Sequence, residues 1–190
     1  MRLLLLLLLM CLPAWADDAG STGATVTKVP VTFTGGHDTD PRDRGRPVIL
    51  IASALKVSPD VFRAAFSHVK PAPAGQQPEP DQVRKNKAAL MAALGPLGVT
   101  DERLNEVSNH YRYQRSRGEM WPIAEATGYA TVSNGVVTGF TITSPGSGYS
   151  SPPTVSLQGM PDAHATATLA FDTDFDKNGA IKEIALNPAP

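Results

Sequence analysis

Apolar residues recur at three- and four-residue spacings over residues 47–113 and alternate with polar ones from Gly128 onward, which divides the chain into a helical part and a strand-forming part. Four helices fit the first part. Pro47 starts one that runs through Ile49, Ile51, Ala52 and Leu55. Ser58-Pro59-Asp60 then supplies an N-cap, a first-turn proline and an early acid for a helix presenting Val61, Phe62, Ala65, Phe66 and Val69. A linker rich in Pro, Gly and Gln spans residues 71–80. Beyond it, a third helix presents Val83, Leu90, Ala93 and Leu94 and stops at Gly95-Pro96, and Thr100 caps a fourth through Leu104, Val107 and Tyr111.

The second helical pair repeats the first. At an offset of 42 residues, Leu55, Val57, Ser58, Asp60, Phe62, Ala65 and His68 align with Leu97, Val99, Thr100, Glu102, Leu104, Val107 and His110. The expectation is a duplicated helical hairpin forming a four-helix module over residues 37–118, preceded by a polar, Thr-rich lead over residues 17–36. In the strand-forming part Val136, Thr138, Phe140 and Ile142 share one face, and Asn134-Gly135 supplies a tight hairpin turn. Ala130-Thr131-Val132 matches Ala167-Thr168-Leu169 at offset 37. Asn134, Gly135, Val137, Phe140 and Ile142 match Asn178, Gly179, Ile181, Ile184 and Leu186 at offset 44, so a second hairpin carries seven extra residues in its turn. The fold class expected is therefore α+β, with the helical module followed by a small antiparallel β module of repeated hairpins over residues 121–187.

The N-terminus modifies this picture. Met1-Arg2, an apolar core over residues 3–12 and Ala14-Trp15-Ala16 before Asp17-Asp18 read as a secretory signal peptide cleaved after Ala16. The apolar run is shorter than the roughly 20 residues a membrane span needs, and Pro13 interrupts it, so no permanent membrane anchor is expected. Lipid attachment at Cys11 is the competing outcome, but Met10 stands where such a site needs a small residue. A periplasmic or secreted location follows, and the mature chain keeps none of the single cysteine.

Charge removes further classes. With 17 Lys and Arg against 18 Asp and Glu the formal charge is −1, so the chain lacks the basic excess of a nucleic-acid binder. The corner at Leu55-Lys56-Val57-Ser58 resembles a DNA-binding helix-turn-helix, with Lys56 where that motif prefers Gly. Residues 37–120 carry 13 basic and 10 acidic residues, too weak a field for that partner. Residues 121–190 carry two basic and six acidic residues, so complementary charge is expected to dock the parts.

Three stretches hold candidate chemistry. His37, Asp38 and Asp40 are dense in potential ligands for a hard or borderline cation, although Asp40-Pro41 and Asp43-Arg44-Gly45 also read as turns. Tyr111, Arg112, Tyr113 and Arg115, followed by Trp121, mix cations and aromatics, which suits either an anionic glycan or phosphate or the packing of the two modules. Tyr149 joins them as a candidate ligand surface. Asp172, Asp174, Asp176 and Asn178 are candidate ligands, and Asp174 to Ile181, with Gly179 at position six, resembles the start of an EF-hand loop, which implies weak calcium binding, but position twelve is Ala185 where a bidentate Glu belongs and Glu183 lies two residues early. Two Ser-x-x-Lys matches, at Ser53 and Ser67, lack the Lys-Thr-Gly partner of penicillin-recognising enzymes. No residue is assigned a catalytic or cofactor-binding role.

The run Gly146-Ser147-Gly148-Tyr149-Ser150-Ser151-Pro152-Pro153-Thr154-Val155, followed by Ala-Thr-Ala-Thr at residues 165–168, resembles a β repeat scattered through secreted bacterial proteins and phage structural proteins. The whole chain resembles small secreted proteins of Gram-negative bacteria that join such a segment to a helical part. The resemblance implies a structural or adhesive surface module and brings no activity with it. The function expected is that of an exported, non-enzymatic structural or binding protein whose partner is an extracellular glycan or a cell-envelope protein. The alternative is a metal-dependent hydrolase using His37, Asp38 and Asp40.

Overall fold

The computed structural model describes residues 25–70, 72, 76, 79–113 and 117–187. The signal peptide, Cys11 and Arg115 lie outside them. The first strand, β1 (Val26–Thr34), falls in the segment expected to be a polar lead, and it lies inside the sheet instead of ahead of the fold. Val29, Val31 and Phe33 turn inward while Lys28, Pro30 and Thr32 face out, a period of two that Pro30 obscures in the sequence. The proline is tolerated because β1 changes partner there. It pairs with β2 (Thr127–Ser133) over residues 26–31 and with β4 (Thr154–Leu157) over residues 31–34.

With β3 (Val136–Ser144), β5 (Ala165–Ala170) and β6 (Ala180–Leu186), these strands form one antiparallel sheet in the order β3-β2-β1-β4-β5-β6. The sheet curls until its outer strands nearly meet, and the Ile181 N–H donates to the Pro145 carbonyl at 2.8 Å. Its interior is filled by Val31, Ala130, Val132, Val155, Ala167 and Ile184. Asn134 at φ 49° and Gly135 at φ 80° make the expected two-residue turn.

The helices α1 (Val48–Ala54), α2 (Pro59–Phe66), α3 (Pro80–Leu94) and α4 (Asp101–His110) leave the sheet after β1 and return to it before β2. The helical part is thus an insertion in the β part. Ser58 Oγ accepts the Val61 N–H at 3.3 Å and Thr100 Oγ1 accepts the Arg103 N–H at 3.1 Å, the caps read from the sequence. Leu50, Phe62, Ala65, Leu94, Leu104 and Val107 form its core. Val83, expected on a buried face, is exposed, and Leu94 alone of α3 is fully buried. No helix among the described residues is long and apolar enough to cross a membrane.

The sheet meets the helices at Gly179, whose φ is 71° and whose carbonyl accepts the Tyr149 N–H at 3.0 Å. A Cβ there would stand 2.8 Å from Leu50 Cδ2 and 2.8 Å from the Tyr149 nitrogen. Gly179→Ala is therefore expected to cost more than about 2 kcal/mol in urea unfolding, since it combines left-handed strain with a backbone collision. Gly159→Ala shares the positive φ but has nothing within 4 Å of its Cβ, so it should lose only about 1 kcal/mol.

Candidate functional site

Four of the residues singled out for binding, Tyr111, Trp121, Tyr149 and Asn178, are buried at the seam between helices and sheet. Asn178, in the β5–β6 connection, is completely buried. Its amide donates to the Leu50 carbonyl at 2.8 Å and to the Tyr111 hydroxyl at 2.9 Å, while its oxygen accepts the Asp172 N–H at 3.2 Å. Burial pushes the Tyr111 phenol up to about 12, against the opposing effect of the Asn178 bond. This engagement takes Asn178 out of the calcium ligand set expected from the sequence. Asp172, Asp174 and Asp176 stay exposed. Asp172 accepts the Asp174 N–H at 2.9 Å, and Asp174 accepts the Asp176 N–H at 3.1 Å and pairs with Lys177 at 2.8 Å.

Tyr149 is equally buried. Its hydroxyl accepts the Ala126 N–H at 3.0 Å and donates to Glu125 at 3.2 Å, and burial raises its pKa. Trp121 Nε1 donates to the Gly148 carbonyl at 2.8 Å, and the Tyr113 ring meets the Trp121 edge at 5.4 Å while its hydroxyl donates to the Gly45 carbonyl. Tyr111, Trp121 and Tyr149 are therefore seam residues and not a ligand surface, because buried rings with bonded polar atoms cannot stack on an incoming molecule. Arg112 is exposed and Tyr113 half-buried. Among the described residues no ion pair crosses the seam. The ion pairs between described residues each lie within one part, and the seam is made by backbone-directed hydrogen bonds and ring stacking.

Phe175 shows how. It stacks on His110 with centroids 3.9 Å apart, and the Arg103 guanidinium lies 4.7 Å from the same ring. Arg103 also donates to the Ala54 carbonyl at 3.0 Å and to the Thr173 carbonyl.

His37, Asp38 and Asp40 do not gather. His37 stacks on Tyr149 at 5.2 Å and keeps a buried Nδ1 without a hydrogen-bond partner. The Asp38 N–H donates to Ser151 Oγ at 3.1 Å and its carbonyl accepts the Ser150 hydroxyl at 2.8 Å. Asp40 caps the turn at Pro41–Asp43 and grips Arg42, whose hydrogen bonds hold its carboxyl down to about 2. His37 lines one cleft and Asp40 another. Among the described residues no group of three or more His, Cys, Asp or Glu is arranged to hold a metal ion.

The cleft that reading for acids overlooks is lined by Arg42, Arg44, Arg46 and Arg63 with Phe62 and Phe66, and measures about 380 Å³. Asp43, only 4% exposed, binds Arg63 through two bonds at 2.7 and 2.8 Å and fixes the turn against α2. Arg46 lies 4.4 Å over the Phe66 ring. Its signal in the sequence is the alternate spacing of Arg42, Arg44 and Arg46.

Asn178→Ala should lower unfolding free energy by about 2 to 3 kcal/mol, with or without calcium, because it leaves the Leu50 carbonyl and Tyr111 hydroxyl buried with a lost partner. A second outcome concerns acid. Burial lowers the His110 pKa, opposed by Asp176 and Glu106 and assisted by Arg103. The folded chain thus prefers neutral His110, and the unfolded chain takes up the proton first as pH falls below about 6.5. Stability falls over that window, and melting curves of His110→Gln should show a shallower decline between about pH 7 and 5 than the wild type.

Comparison of the chain with known protein families, curated proteins and solved structures yields no match, so the reading of the site rests on its own chemistry.

Proposed function

We propose that the protein is an exported, non-enzymatic binding or structural component of the periplasm or cell surface, with the six-stranded sheet as its frame. The observation that supports this best is how the groups suited to acid-base chemistry are engaged. Asp40 caps a turn, Asp43 anchors Arg63 and Glu125 accepts from Tyr149, while the His37 ring stacks on Tyr149 and meets Trp121 edge-on, its Nδ1 left without a partner. The Gly-Ser-Gly-Tyr loop of the resemblance is the structural joint, with Gly148 and Tyr149 N–H groups donating to the carbonyls of Asn178 and Gly179 at 2.8 and 3.0 Å. Such a use suits a rigid module more than a catalytic one.

We further infer that both parts are internal duplications. Ala130↔Phe140, Thr131↔Gly139 and Val132↔Val137 in one hairpin correspond, at the offsets 37 and 44, to Ala167↔Ile184, Thr168↔Glu183 and Leu169↔Ile181 in the other. The register shift falls at the same point in each, after Thr131 and after Thr168. Both helical corners behave likewise. Lys56 at φ 59° and Gly98 at φ 89° occupy matching left-handed positions, and Val57 and Val99 donate to Ala52 and Leu94.

Intact mass of the chain recovered from the periplasm or culture medium should begin at Asp17. Retention of residues 1–16 or a lipid on Cys11 rules out the cleaved, unanchored form. Purified protein supplied with zinc, manganese or magnesium should not hydrolyse model esters or phosphoesters, and an activity abolished by His37→Ala would replace this reading with the hydrolase.

A further inference from the structure

The arginine cleft contains an electrostatic imbalance. Arg42 is neutralised by Asp40 at 2.7 Å, and Arg63 by Asp43 at 2.7 Å and Asp60 at 2.8 Å. Among the described residues, Arg44 and Arg46 have no carboxylate within ion-pair distance, so four guanidinium groups face three carboxylates. Arg46 is half-buried, and its charge is disfavoured first by burial and then by repulsion from Arg44, against the opposing attraction of Asp43 and Tyr113. A half-buried cation with a second, exposed cation in the same cleft costs free energy that a bound anion would return.

The cleft also has an apolar wall, formed by Val48, Phe62, Phe66 and Val69. Its volume of about 380 Å³ lies in the range of small-molecule sites, about 300 to 1,000 Å³. The Arg46 guanidinium carbon sits 4.4 Å from the Phe66 ring centroid, a contact that restrains the side chain and reduces the rotamer freedom lost on binding an oxyanion. Arg44 is held at φ 52° where it closes the turn, its N–H donating to the Pro41 carbonyl at 3.3 Å. The backbone of the pair is therefore set in advance by the Asp43–Arg63 anchor.

We propose that this cleft binds an oxyanion group carried on an aromatic or apolar body, the anion between Arg44 and Arg46 and the body along Phe66 and Val69. The site rests on the reading of the chain as a binding protein and supplies its ligand class. A phosphate or carboxylate meets the guanidinium forks bidentately, and the adjacent wall rewards an apolar substituent that inorganic phosphate lacks.

The test is calorimetric titration of phenyl phosphate, inorganic phosphate and phenol into the mature protein at low ionic strength. Phenyl phosphate should bind at least about tenfold more tightly than either of the others and weaken as salt is raised. Arg46→Gln should weaken it by about tenfold or more, and Arg44→Gln by several-fold. Since Arg46 packs on Phe66, its variant is checked by thermal melting. If it does not fold, the exposed Arg44 variant carries the comparison. Equal affinity for inorganic phosphate or for phenol overturns the two-part site, as does unchanged affinity in the folded variants or the absence of heat from all three probes. Release of phenol from phenyl phosphate would instead overturn the non-enzymatic reading while leaving the cleft as the place of binding.

Discussion

The hydrogen bond from the Asn178 amide to the Leu50 carbonyl is the contact on which the relation of helices to sheet depends. It joins residues 128 apart in sequence and is completely buried, so neither partner has water to fall back on. Because the same amide holds Tyr111 and its carbonyl oxygen fixes Asp172, the β5–β6 connection is positioned from both sides. Phe175 then reaches the end of α4, and Gly179 comes close enough to Leu50 that no side chain fits. The aromatic seam follows from that placement, with His37 stacked on Tyr149 and edge-on to Trp121 where the Gly-Ser-Gly-Tyr loop passes between the two parts.

Arginine has two distinct uses in this fold. Arg63 and Arg103 are satisfied, one by carboxylates and the other by main-chain carbonyls together with Glu106, and both tie segments together. Arg44 and Arg46 lie beside the Arg63 anchor without such partners. A guanidinium resting on a phenyl face while its donors lack a carboxylate is poorly explained by stability alone, which is why the cleft and not the aromatic seam is the more informative surface.

The helical part was legible in the sequence because its signals are local. Ser58-Pro59, Thr100 and Gly95-Pro96 mark ends through bonds made within a few residues. The β part was legible only where turn and strand are adjacent, as at Asn134-Gly135. β1 escaped detection because a proline at its centre reads as a break until the change of partner at Val31 is known. Tyr111, Trp121, Tyr149 and Asn178 read as binding residues for a related reason. Tyr, Arg and Trp in one stretch satisfy a glycan or an internal seam equally well, and Asp-x-Asp-x-Asn-Gly spacing does not reveal that the asparagine turns inward. Only long-range placement separates these cases, and it is not written in spacing.

The insertion of the helices between β1 and β2 also bears on how the chain assembles. Val26 pairs with Ser133, so the first strand emerges long before its partner and must close a loop of roughly a hundred residues. Sheet formation is consequently non-local, while α1 to α4 can collapse early around Leu50 and Val107. A chain built this way stays without its central pairing until most of it has been delivered, with β1 left as an unpaired strand in the meantime. Its outward Lys28 and Pro30 are the residue types that discourage a waiting strand from joining the wrong neighbour.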